Sequence, residues 1–177
     1  MTPTASRSRR AGGRLALALA LLPWATLVGA VTDTSGQGAS GERFAVIVNP
    51  STSASDVSLK QLRRIFLGEQ QFWAGGSKVV PLIGAPGTSG RAVVLRDIYR
   101  MDELEFRRYW ITKTFRADVT TGPKIVSSSA LAKKLTGIIP GAVSVIPASE
   151  VDESVKVLNV DRRSPEDSEY PLVWSAP

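Results

Sequence analysis

The chain has 177 residues, 43% of them hydrophobic, with 22 Lys and Arg against 16 Asp and Glu for a formal charge of +6. That length fits one domain or a small pair, with enough apolar material for a core. Neither Cys nor His occurs, which excludes disulfides, thiol nucleophiles, Cys/His zinc sites and a Ser-His-Asp triad, and leaves carboxylates as the main remaining catalytic chemistry.

Residues 1–30 read as a signal peptide. Arg7, Arg9, Arg10 and Arg14 give a basic start without acidic residues, a Leu- and Ala-rich run from Leu15 to Val31 follows, and Val28-Gly29-Ala30 supplies small residues for a cut after Ala30. The competing reading is an uncleaved anchor. The run is interrupted by Pro23 and falls short of the ~20 residues that span a bilayer. Without this leader 18 basic residues face 16 acidic ones, a net charge of +2. The high isoelectric point therefore belongs largely to the leader and does not argue for nucleic acid as a partner. Export, with the periplasm as destination, is the expected localisation.

Residues 31–42 are small and polar and predict a flexible lead-in. Phe44 to Val48 is a short β-branched run closed by Asn49-Pro50, which predicts a buried strand. Leu59, Leu62, Ile65 and Phe66 recur at helical spacing, with Ser58 placed to cap that helix and Gly68 to end it. Val79 to Ile83 predicts a second strand, short or at a sheet edge because Pro81 cannot donate to a ladder. Gly84 to Gly90 forms a loop opening a helix that buries Val94, Leu95 and Ile98. Asp102 and Glu105 form a capping box for the next helix, whose Phe106, Tyr109 and Trp110 make an aromatic face. Leu131 and Leu135 mark a short helix ended by Gly137. Ala142 to Ile146 and Val155 to Val160 predict two further strands. The tail, 161–177, is charged but carries Tyr170, Leu172, Val173 and Trp174 as docking residues. Strands alternating with helices predict an α/β domain over 43–160 with a sheet layered by helices.

Ligands in such sheets sit outside the strand C-termini, which singles out two loops. Gly87-Thr88-Ser89-Gly90 precedes a helix whose first N–H groups have no internal partner and whose dipole is positive there. Glycines admit an anion closely, the two hydroxyls add donors, and Arg91 offers a guanidinium fork. The plainer reading is that Thr88 or Ser89 only caps a helix. Asn49 and Ser51, after the first strand, would add donors across a cleft, or else form an ordinary turn. Asp102, Glu103 and Glu105 fit helix-start signals better than a catalytic pair. No catalytic residue, cofactor or metal site is therefore expected.

Ile65-Phe66-Leu67-Gly68, Trp73, Val79-Val80-Pro81, the Gly87–Gly90 loop, Tyr109-Trp110 and Pro140-Gly141-Ala142-Val143-Ser144-Val145 occur in an order that resembles the phosphate-binding proteins of ABC importers. The likeness runs from about Phe44 to Val160, most closely to short, stand-alone forms. It implies the type 2 periplasmic binding fold, truncated relative to a two-lobed protein, with an oxyanion held by backbone amides and hydroxyls at a helix start. Phosphate or a related small anion, and an ABC importer or envelope sensor, are the partners this implies. Gly84 and Pro86 stand near the places where the family carries an Arg and an Asp, and Ser144-Val145 replaces its Gly-Tyr. The alternative is a ligand-free envelope protein that keeps the fold and acts through a partner surface or a homodimer.

Overall fold

The computed structural model describes residues 41–117 and 122–175. The leader, the cut after Ala30 and the lead-in up to residue 40 lie outside the described residues. No described helix is long and apolar enough to cross a membrane.

Among the described residues seven strands form one mixed sheet: β1 (Glu42–Val48), β2 (Asp56–Val57), β3 (Val80–Gly84), β4 (Lys124–Val126), β5 (Ala142–Pro147), β6 (Lys156–Val160) and β7 (Val173–Trp174). Their order is β2-β6-β1-β5-β3-β4, with β7 also pairing β1. β1 is antiparallel to β5, β6 and β7, while β2 runs parallel to β6, and β3 runs parallel to both β4 and β5. The central strand therefore runs against all six others.

The period-2 alternation of β1 sorts its side chains to two cores. Phe44, Val46 and Val48 join Ile83, Val143, Val145 and Leu158 under the helices α1 (Leu59–Phe66), α2 (Ser89–Val93) and α3 (Glu103–Phe115). Ala45 and Ile47 join Leu82, Ala142 and Ile146 under α4 (Ser129–Ile138). The result is an α/β fold with helices on both faces of the sheet.

Local signals explain the helix starts. The Ser58 side chain accepts from the Gln61 amide at the start of α1. Asp102 and Glu105 make the reciprocal capping box of α3. α2 continues directly into a π-helical turn, Val94–Tyr99, that ends at a left-handed Arg100. The aromatic rings form an edge-to-face chain through Phe66, Tyr99, Phe106, Trp110 and Tyr109, with centroids 4.9–6.3 Å apart. The Tyr99 hydroxyl donates to the Phe66 carbonyl at 2.7 Å, which joins α1 to the π turn.

Two local expectations need correction. Pro81 is not at a sheet edge, because β3 lies between β5 and β4. The ladder is staggered instead. Val80 donates toward β5, to the Gly141 carbonyl, so the Pro81 nitrogen faces the other side, and β4 pairs only from Leu82 onward. No ladder donor is lost. Gly137 does not end α4, which runs on to Ile138. It serves close packing: a Cβ there would stand 2.8 Å from the Ser154 carbonyl oxygen.

The segment after β6 belongs to the core. Tyr170 and Leu172 are buried with the β1 side chains, and β7 pairs Glu42 with Trp174. The Arg43 guanidinium donates to the carbonyls of Pro165 and Glu166.

Candidate functional site

The loop after β3 is built by local chemistry. The Ala85 amide donates to the Val126 carbonyl at 2.8 Å, holding the loop to the end of β4. Gly87 turns the chain at φ +87°, a backbone state costly for residues with a Cβ. The Thr88 hydroxyl then donates to the Ala85 carbonyl at 2.9 Å and accepts from the Arg91 amide at 3.3 Å, capping α2. Gly90 seats that helix on the sheet, since a Cβ there would lie 3.3 Å from the Phe44 ring.

A second helix starts beside it. The Ser128 hydroxyl accepts from the Leu131 amide at 3.2 Å and caps α4. β3 and β4 run parallel, so both helix starts lie at the same edge of the sheet. Between them is a cleft of about 420 Å³ lined by Thr88, Ser89, Gly90, Ser127, Ser128 and Ser129, with Phe44, Val126 and Val145 beneath. Among the described residues its only ionisable lining groups are two carboxylates, Glu42 and Glu150. The hydroxyls of Ser89, Ser127 and Ser129 have no hydrogen-bond partner among the described residues. Two positive helix-dipole ends and a row of hydroxyl donors suit an acceptor-rich ligand, while the two carboxylates disfavour one that is fully ionised.

Arg91 takes no part in lining this cleft. It is buried, with Nε 2.5 Å from Glu103 Oε1, Nη2 2.9 Å from Glu103 Oε2, and Nη1 donating to the Gly84 carbonyl at 3.1 Å. The Phe106 ring lies under it, 4.7 Å from the guanidinium carbon. The hydrogen bonds from Arg91 hold the Glu103 carboxyl below its usual range. Arg91 thus ties the start of α2 to the end of β3 and the start of α3. On that side the 87–89 loop borders a separate depression of about 680 Å³, which also exposes Arg96, Arg100 and Trp174.

Asn49 and Ser51 lie at the opposite edge. β1 runs against β3 and β5, so its C-terminal end meets their beginnings, and the Asn49 amide donates to the Ala142 carbonyl at 3.1 Å. The length of β1, roughly 20 Å at about 3.3 Å per residue, separates these residues from the Thr88 loop. Asn49 Nδ2 donates to the carbonyls of Thr136 and Gly137 at 3.0 and 2.9 Å, closing the C-terminal end of α4. Its Oδ1 accepts from the Ser51 amide and hydroxyl at 3.0 and 2.6 Å. The structure brings Gly87, Thr88, Ser89 and Gly90 together and leaves Asn49 and Ser51 apart from them.

Sequence reasoning missed the contribution of 127–129. The signal was present as three consecutive serines before the apolar positions of α4, a run that supplies both a cap and extra hydroxyls.

No protein-family model matches the chain. It is 29% identical over 142 residues to the phosphate-binding protein PstS of Bacillus subtilis (strain 168), covering 75% of this chain and 42% of that protein. Among solved structures it superposes on an ABC-type phosphate transport receptor from Vibrio cholerae with a TM-score of 0.57 at 18% identity, covering 71% of this chain and 49% of that one. PstS from Borrelia burgdorferi gives a TM-score of 0.59 at 14% identity, with 75% and 55% covered. The chain spans about half the length of these relatives. It is similar to phosphate-binding proteins, and its fold is the type 2 periplasmic binding fold in a form that corresponds to part of a full-length protein.

Proposed function

We propose that this chain is an exported, non-catalytic solute-binding protein that holds a small protonated oxyanion, hydrogen phosphate first, between the starts of α2 and α4. The observation that carries this reading is the convergence of two capped helix starts on one hydroxyl-lined cleft. The similarity to a phosphate-binding protein from Bacillus subtilis supports it. Backbone amides at 89–90 and 129–130, with the hydroxyls of Ser89, Ser127 and Ser129, are the donors. Arg91 holds the frame through Glu103 and is not itself a ligand.

The acidic pair refines the ligand class. Phosphate keeps a proton near neutral pH and can donate to Glu42 or Glu150, whereas sulfate has none to give. Delivery to an ABC importer or an envelope sensor is the role proposed for the loaded protein, with export through a signal peptide cut after Ala30.

Titration calorimetry with phosphate, sulfate and acetate tests the reading. Phosphate is expected to bind more tightly than sulfate, and Glu150→Gln to reduce that preference. Absence of heat with all three anions at millimolar concentration would remove the proposal.

A further inference from the structure

α3 is apolar on two opposite faces. Phe106 and Trp110 point into the core, while Leu104, Ile111 and Phe115 are 51%, 52% and 88% exposed. Positions 104, 111 and 115 are spaced by seven and four, so they form one stripe along the outer side of the helix. A surface helix of a monomer has polar residues there, and an exposed apolar stripe of this kind marks a contact surface.

We propose that this stripe packs against the same stripe of a second copy of the chain, with the two α3 helices antiparallel about a two-fold axis near residue 110. The charges beside the stripe favour this occupant. One edge carries Glu105, Arg108, Thr112 and Arg116, all exposed. In an antiparallel pair, Glu105 faces the partner subunit's Arg116, Arg108 faces the partner subunit's Thr112, and Leu104 meets the partner subunit's Phe115. Parallel pairing would set this edge against the opposite edge of the partner and leave residues 105 and 116 at different heights, so Glu105 would not reach the partner subunit's Arg116. An acidic partner or an anionic membrane would gain from Arg108 and Arg116 but meet Glu105 on the same edge. The self-complementary order is what an isologous interface requires. One helix face is at the small end of specific interfaces, so association belongs in the micromolar range. This inference is independent of the anion cleft, which lies between α2 and α4.

Sedimentation of the full chain over about 1 µM to about 1 mM, a range that brackets weak interfaces, tests it. A monomer–dimer equilibrium is expected, and Phe115→Gln should weaken it about tenfold or more without lowering the melting temperature. Glu105→Arg alone and Arg116→Glu alone should each weaken self-association, whereas an equimolar mixture of the two variants should restore a dimer. That restoration separates pairing from any loss of the α3 capping box, and from association through other segments. The chain has no cysteine, so single introduced cysteines report orientation. Leu104→Cys should cross-link to Phe115→Cys and not to itself. A monomer throughout, a dimer indifferent to Phe115→Gln, a mixture that fails to restore pairing, or cross-linking of Leu104→Cys to itself would overturn the proposal. So would a monomer that binds anionic vesicles through these residues.

Discussion

Arg91 and Glu103 meet through two hydrogen bonds, of 2.5 and 2.9 Å, with the arginine buried and the carboxylate 45% exposed. The pair joins the helix start that borders the cleft to the aromatic layer beneath. Removing the carboxylate leaves a buried guanidinium with one carbonyl for company. Glu103→Ala is expected to cost about 1–2 kcal/mol, below the ~3–5 of a fully buried pair because water reaches the carboxylate. Urea unfolding at neutral pH measures it.

The same pair sets an acid dependence. The folded-state pKa of Glu103 is lowered by its hydrogen bonds to Arg91. Its contribution is therefore fully present above the unfolded carboxyl pKa and is lost as pH falls through the lower folded value. Stability of the native chain should drop on acidification from about pH 5 downward, and Glu103→Gln should drop less steeply. Unfolding midpoints across that range decide the matter.

Ser89 and Thr88 stand side by side with separable roles. The Thr88 hydroxyl holds the cap, so Thr88→Ala should cost about 1 kcal/mol of stability. Ser89 has no partner for its hydroxyl among the described residues, so Ser89→Ala should leave stability within about 0.5 kcal/mol. If it binds the anion, the same change weakens affinity by about 1.5–3 kcal/mol. Parallel thermal melts and phosphate titrations separate the two effects.

Gly84 has no room for a side chain, since a Cβ would stand 2.6 Å from the Thr88 hydroxyl oxygen. Gly84→Ala is expected to displace Thr88, cost about 1–3 kcal/mol through overpacking and the lost cap, and impair anion binding together with stability. Chemical denaturation with calorimetry checks both arms.

Asn49 provides the contrasting case. Asn49→Ala strands the carbonyls of Thr136 and Gly137, with an expected cost of about 1–3 kcal/mol. Because Asn49 lies at the far edge of the sheet, anion affinity should be unchanged in the folded fraction. Titration well below the melting temperature tests this separation.

Signals confined to a few neighbouring residues were legible in the sequence. The Ser58 cap and the Asp102–Glu105 capping box depend on atoms three positions apart, and both are present. Features set by strand direction were not legible. Nothing within residues 44–51 reveals that β1 runs against its neighbours, yet that reversal places Asn49 and Ser51 away from the 87–90 loop. Pro81 illustrates the same limit: its missing donor matters only on one side of the strand, and the stagger of β4 puts that side outside the ladder. Gly137 resembles a stop signal locally, but its small size answers a contact with Ser154, seventeen residues later in the chain.

The innermost strand has a consequence for how the protein comes into being. β1 contains residues 42–48, while its three pairing strands come from 142–147, 156–160 and 173–174. Among the described strands, no backbone partner of β1 exists until residue 142 has been synthesised, so the sheet cannot close around its centre before then. The centre of the sheet therefore cannot assemble before residues 142–147 are available, and pairings of such long sequence separation form slowly.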